Sequence, residues 1–433
     1  MLSRRYALRY LLEQAPPRYL LRLLAWRGDP FAKLVGSAEG MADPFRYIEE
    51  IRAGGPLWKM PFGYVTVDYE VSRHILRSTD WGVAGPDTSQ LPQFLKDQIQ
   101  AAPIPANPVA PPAMILMDPP DHTRMRKSVS AAFTPRAIGR LRERVESVVA
   151  ELLDAMPSGG SADLITDFAS QVPIAIISAM LGFPDESRAQ FLHWGEEFTP
   201  LLDVGIDWKT WEHAVQATFR MDEYLDAHIE RLRAEPGADI LSKLITDGDL
   251  NNHELKANAI LMMAAGFETT VNLIANSIVR LLEHPEQLAK LLADPALWPQ
   301  AVEELLRMDT PVMNTARVPL CDTELAGVQI PKGTAVVLSL PGANRDPKMF
   351  DDPNRFDITR ENAREHLSFI SGPHVCLGAS LARMEATHAL RSLFEQFPDL
   401  RLEGTPERLQ RHTLRGWSKL PVRLGDRAAL GVQ

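Results

Sequence analysis

Apolar positions along this chain recur mostly at three- and four-residue intervals. That period predicts helices over 137–155, 187–196, 209–233, 251–284, 298–308 and 378–396. Strand-like stretches are few. Residues 56–67 end in a β-rich run broken at Gly63 and predict a hairpin. Residues 325–340 offer Leu325 to Val328, a Pro331-Lys332-Gly333 turn, and a second run from Ala335 to Leu340. The predicted fold class is mainly α with a small β portion, near the N-terminal part and again after residue 315. No internal repeat and no Gly/Ser linker interrupts the pattern, so one domain is expected over 1–433, with residues 1–40 as an extension packed on or beside it.

Two segments depart from this regularity. From Asn251, with Glu254 three residues on as a capping box, no proline appears until Pro285, which predicts a helix roughly 50 Å long at about 1.5 Å per residue. Its middle, Leu261 to Ala265, is wholly apolar. Gly266, Phe267, Glu268, Thr269 and Thr270 follow. A glycine, a carboxylate and a backbone-competing hydroxyl are poor choices for a buried helix. They predict a place where something presses on it: Gly266 admits a flat ligand, Thr269 offers a hydroxyl and Glu268 can pass protons. The other segment is 81–120, where nine prolines fall, seven of them from Pro103 to Pro120. It reads as a long ligand-facing loop without regular structure.

Composition narrows the chemistry. The net charge of -10 excludes wholesale nucleic-acid binding. Two cysteines, Cys321 and Cys376, exclude a Cys-rich metal cluster and make a disulfide scaffold implausible. Against the acidic background, residues 124–142 hold Arg124, Arg126, Lys127, Arg136, Arg140 and Arg142 and no acid. Residues 1–30 carry six arginines, Glu13, Asp29 and short apolar clusters interrupted by Pro16-Pro17. They predict two short amphipathic helices rather than a membrane span or a signal peptide, and a cytoplasmic location is expected.

Cys376 lies where the loop 366–378 meets a helix start, a setting that favours a thiolate. Gly372 and Gly378 permit a tight path and Phe369 can pack on a ring or on the sulfur. Such a thiolate can be a nucleophile, a redox thiol or a metal ligand. Nucleophilic chemistry is the weaker option, because His374 has no evident carboxylate to orient it. The run Phe369-Ile-Ser-Gly372-Pro-His374-Val-Cys376-Leu-Gly378 resembles the cysteine signature of the bacterial, soluble cytochrome P450 family, a haem-thiolate class. Ile370 stands where that signature has glycine.

The resemblance covers about residues 45–425. It implies the cytochrome P450 fold, with haem b between the long central helix and the cysteine loop, and Cys376 as axial ligand of the haem iron. Ala265-Gly266-Phe267-Glu268-Thr269-Thr270 resembles the family's oxygen-activation motif, which implies catalytic proton delivery by Glu268 and Thr269. His122, Arg126, Arg317 and His374 match propionate-contacting positions, and Ala265, Gly266, Phe369, Gly372 and Gly378 would line the cofactor. Glu304 and Arg307 match a Glu-x-x-Arg pair, with Arg355 implied as third member of a buried salt-bridge triad. Cys321 matches no functional position. The implied activity is a monooxygenase taking O2, an apolar organic substrate (lipid, terpene, steroid or polyketide-like) and electrons from a ferredoxin or similar carrier with a separate reductase. The basic run 124–142 suits an acidic carrier. Ala264, Phe267, Pro311, Val312, Met313 and Asn314 are the expected substrate lining, with a further loop near Arg415-Gly416-Trp417. The alternatives are a peroxide-driven peroxygenase of the same fold and a non-catalytic haem-binding sensor or carrier.

Overall fold

The structure is a computed structural model that describes residues 2–84, 92–105, 107, 108 and 110–428. Helices dominate, and the long one runs Asn252–Glu283. Asn251 accepts the Glu254 amide at 3.0 Å while the Glu254 carboxylate accepts the Asn251 amide at 3.0 Å, so both capping-box bonds are made. Helices Gln171–Met180, Arg188–Phe198, Trp298–Met308 and Ala379–Gln396 pack around it. This explains why so apolar a helix belongs to a folded core: most of it is buried among these neighbours, although length and composition alone would let it cross a membrane.

Helices Pro135–Ala155, Arg188–Phe198, Trp208–Ala234, Trp298–Met308 and Ala379–Gln396 begin and end within two residues of the expected bounds. The five-stranded sheet runs in the order Trp58–Met60, Gly63–Thr66, Ala335–Ser339, Asn314–Pro319, Trp81–Val83. Its first pair is the expected hairpin, closing with Met60 opposite Gly63. Leu325 to Val328, read as one strand, is instead a turn between Thr323–Leu325 and Val328–Ile330. Ala326 and Gly327 both take positive φ, 49° and 78°, the twist a two-residue hairpin requires.

The proline-rich segment is also less irregular than expected. Strand Trp81–Val83, helix Gln93–Gln100 and a 3₁₀ turn Met114–Leu116 punctuate it, while residues 85–91, 106 and 109 lie outside the described residues. The N-terminal helices Arg4–Glu13 and Ala15–Trp26 clasp this segment to another. Tyr6 donates to the Pro103 carbonyl at 2.7 Å, Arg9 to Ala102 at 2.7 Å and Tyr10 to Ile206 at 3.0 Å. The prolines of the second helix sit in its first turn, where a missing N–H costs nothing.

Candidate active site

The cysteine loop is a ring held by backbone bonds. Val375 N donates to Gly372 O at 3.1 Å and Cys376 N to Phe369 O at 3.0 Å, which sets the sulfur just ahead of helix Ala379–Gln396. Gly372 has φ 76°, and a Cβ there would meet the Leu76 carbonyl at 2.0 Å, so no other residue fits. Gly378 has an ordinary φ of -84° and open space on its Cβ side. Its contribution is an N–H directed at the Cys376 sulfur. Ile370 takes φ 50°, a left-handed conformation costing about 1–2 kcal/mol in an L-residue and rare for a β-branched one.

Cys376 is walled by protein on nearly every side yet keeps accessible surface, as befits a group facing an internal cleft. Burial pushes its thiol up, outweighing the Gly378 amide, Arg126 and Arg383, which favour the thiolate. Its place ahead of a helix start therefore does not by itself make the free thiol acidic. Cys321 is also free, and exposed.

His122, Arg126, Arg317 and His374 are brought together beside this loop. The His122 and His374 rings lie with centroids 4.0 Å apart and planes tilted by 33°, and Arg126 Nη2 donates to the Val375 carbonyl at 2.6 Å. Arg317 is buried and, among the described residues, donates to Thr315 Oγ1 at 3.0 Å and Ala316 O at 2.8 Å. Among the described residues neither arginine has a carboxylate within ion-pair distance. Burial, then His122, Arg317 and Arg126, drives the His374 imidazole down to about 3. His122 and Arg317 are buried and Arg126 and His374 half-buried. Asp118 lies within electrostatic reach of His122 and Arg317, but no ion pair among the described residues neutralises the two arginines, which suits a ligand bearing carboxylates. The donor set therefore fits haem: one sulfur for iron, and a cationic wall for the propionates.

On the long helix, Ala265 is exposed and Gly266 and Thr269 half-exposed while the surrounding residues are buried, so Ala265 and Thr269, one turn apart, share an accessible face with the Gly266 backbone beside them. Gly266 does not provide the close approach: its Cβ direction points at Ile177 Cδ1, 3.4 Å away, and small Ala265 serves instead. Phe267 is likewise not a cleft residue. It lies two positions, about 200°, round the helix from Ala265, and packs over Gly195. Thr269 Oγ1 donates to the Ala265 carbonyl at 2.5 Å, which leaves its lone pairs turned to the cleft. Glu268 is buried, and burial raises its carboxyl, with Arg411 opposing and Glu196 adding to the rise. Arg411 Nη1 lies 3.8 Å from Glu268 Oε1, and its Nη2 donates to Glu196 O at 3.3 Å. No spacing in the sequence announces Arg411 or Glu196 as neighbours of Glu268.

The remaining expected lining is pinned to the C-terminal hairpin, whose strands Glu407–Arg408 and Trp417–Lys419 flank residues 409–416. Met313 N donates to Thr413 O at 2.9 Å, Arg415 N to Pro311 O at 2.8 Å, and Val312 pairs with Leu414. Val312 and Asn314 are half-exposed, while Ala264, Pro311 and Met313 are buried. Asn314 Oδ1 is buried without a hydrogen-bond partner.

Glu304 and Arg307 form a fully buried bidentate pair, at 2.7 and 2.8 Å. Arg355 is not the third member. It is 63% exposed and pairs with Asp357 at 2.9 Å. Arg360 takes that place, its Nε 3.2 Å from Glu304 Oε1. The positive φ of Asp352 turns the chain so that Arg355 presents its carbonyl, not its side chain, to Arg307 at 3.2 Å. A second buried acid, Glu303, accepts from His366 at 3.1 Å and Arg383 at 2.8 and 3.0 Å. Burial opposes its ionisation, but these bonds win and hold its carboxyl at about 2. Arg383 also covers the Phe369 ring at 4.5 Å, which couples this acid to the cysteine loop.

Comparison with known proteins decides the family. The family model for cytochrome P450 matches residues 104–421. This chain belongs to the cytochrome P450 family. It is 44% identical to putative cytochrome P450 140 of Mycobacterium tuberculosis over 407 residues, 92% of this chain and 93% of the relative. It is 42% identical to the 6-deoxyerythronolide B hydroxylase of Saccharopolyspora erythraea over 315 residues, 71% of this chain and 76% of that one. Among solved structures, P450BioI in complex with hexadec-9Z-enoic acid ligated acyl carrier protein superposes with a TM-score of 0.81 at 34% identity, covering 89% of this chain and 100% of that one. The mainly helical fold with its small sheets is the P450 fold.

Proposed function

We propose that this P450 is a haem-thiolate monooxygenase that inserts one oxygen atom of O2 into an apolar organic substrate. The observation that carries the reading is Cys376, a free thiol beside an arginine–histidine cluster whose two arginines form no ion pair among the described residues. Bound haem b supplies the oxidising chemistry, in which thiolate donation through iron favours O–O cleavage. Cys376 would hold the iron, Arg126, Arg317, His122 and His374 the propionates, and Phe369 would pack near the sulfur.

Glu268 and Thr269 are the proton-handling residues. Burial lets Glu268 keep a proton closer to neutral pH than a solvated carboxyl would, and Arg411 limits that rise. The Thr269 hydroxyl accepts at the cleft while it donates to Ala265 O, and releasing that bond frees its proton. Positioned proton donors contribute about 10²–10⁴-fold. Thr269→Ala should therefore keep consuming reductant while product falls at least about tenfold and hydrogen peroxide takes its place. Peroxide and product measured per reductant check this.

Ala264, Val312 and Asn314 would meet the substrate, with the free Asn314 Oδ1 able to accept from a hydroxyl. The hydroxylase relative and the fatty-acyl complex support an apolar organic substrate. Electrons would arrive from a ferredoxin-like carrier at the exposed Lys127, Arg136 and Arg140. Arg124 is taken by Glu254, and Arg126 turns toward the Val375 carbonyl. The decisive experiment is the reduced, carbon-monoxide-bound spectrum of the purified protein, followed by turnover with a ferredoxin system or with peroxide alone. A strongly red-shifted Soret band and O2-dependent product support the reading. Turnover with peroxide only would make this a peroxygenase, and haem without any turnover would make it a carrier.

A further inference from the structure

Helix Ala15–Trp26 carries apolar residues on both sides: Leu21 packs inward on a core cluster, and a second set points outward. Tyr19 is 66%, Leu23 43% and Trp26 82% exposed, and positions 19, 23 and 26 follow the helical repeat, so they form one stripe with Leu20 beside it. Leu11 on the preceding helix is also exposed, as is Val204, whose neighbour Gly205 lies against the Arg18 backbone. A helix docked on a protein surface ordinarily turns polar residues to the water.

The exposed, unpaired charge on the helix pair itself is basic, although Asp207 of the neighbouring segment lies near Tyr10 and Arg18. Arg4, Arg5, Arg22 and Arg27 are exposed and form no ion pair among the described residues. The two acids of this segment are engaged elsewhere: Glu13 pairs with Arg9 at 3.0 Å, and Asp29 accepts the Ala32 amide at 2.8 Å. This basic margin stands on a chain whose net charge is -10. The helix pair is already fixed to the body through Tyr6, Arg9 and Tyr10, and Gln14 accepts the Gly205 amide at 3.0 Å. It would lose little freedom on docking.

We propose that this face seats the protein on a bilayer surface containing anionic phospholipid. Tyrosine, tryptophan and leucine along the stripe suit the boundary between headgroups and acyl chains, and the flanking arginines suit lipid phosphates. A second copy of the chain fits less well, because a two-fold contact through the stripe would set Arg22 and Arg27 of each copy against their equivalents. The inference is independent of the catalytic reading.

The test uses the full chain and vesicles of phosphatidylcholine, alone or mixed with phosphatidylglycerol. The protein should float with the mixed vesicles at least tenfold more than with phosphatidylcholine alone, and about 0.5 M salt should weaken this by screening. A Tyr19→Ser, Leu23→Ser, Trp26→Ser triple variant and an Arg22→Glu, Arg27→Glu double variant should each lose most of the flotation. Both should keep the parent circular dichroism and thermal midpoint, since all five side chains are largely exposed. Absence of flotation by the parent chain, or flotation retained in both variants, overturns the proposal. So does a parent dimer, seen by light scattering without vesicles, that the triple variant dissociates.

Discussion

Cys376→Ser is expected to remove the thiolate signature outright. Serine keeps the size and the backbone ring, so Gly372 and Phe369 still hold the loop and circular dichroism should match the parent. An alcohol oxygen does not donate to iron as a thiolate sulfur does. The reduced, carbon-monoxide-bound spectrum should therefore lose its strongly red-shifted Soret band, and O2-dependent turnover should fall to background. His122, Arg126, Arg317 and His374 are untouched by the change, so some pigment can still be retained on the cationic wall. A variant with the parent spectrum would remove Cys376 as ligand, and the proposed mechanism with it.

The second large effect lies at the buried triad. The fully buried Glu304 accepts from both Arg307 and Arg360, so removing it leaves two guanidinium groups with backbone carbonyls but without their counter-charge. Breaking one partner from a buried pair costs about 3–5 kcal/mol. Glu304→Ala should lower the denaturation midpoint accordingly. The effect should also reach the cysteine loop, because Arg307 Nη1 donates to Asn344 O at 3.0 Å and Asn344 in turn accepts the Leu367 amide at 2.7 Å. Haem retention should thus fall along with stability. Two single variants separate the structural assignment from the motif-based one: Arg360→Ala should destabilise by about 2–4 kcal/mol, whereas Arg355→Ala should stay within about 0.5 kcal/mol, as exposed pairs do. Chemical denaturation of the three variants checks both statements.

These variants also mark where sequence reasoning stops. Five of the six predicted helices were legible because each buries one face and apolar residues then repeat with the helical period. The long helix, buried nearly all round, was legible from its capping box and its proline-free apolar run. The Phe267 assignment was recoverable from the same period, since 200° of rotation separates it from Ala265. Arg360 was not recoverable, because a turn at Asp352 decides which arginine of that loop points inward. Arg411 was out of reach for another reason: it meets Glu268 only when the C-terminal hairpin folds over the long helix. Pairings of this kind depend on the assembled core and leave no spacing behind. Helix Gln93–Gln100 was hidden by the prolines around it, although none falls inside it.

Ile370 bears on how the sulfur is kept in place. The bond from Cys376 N to Phe369 O closes a loop whose second residue is a β-branched side chain in a conformation it disfavours. That residue cannot relax to an ordinary backbone angle without opening the loop, and the Leu76 carbonyl behind Gly372 blocks the way. The loop thus works as a cocked clip whose catch is the neighbouring segment, and loosening the chain around Leu76 is a route by which a distant change would let go of the proposed iron ligand.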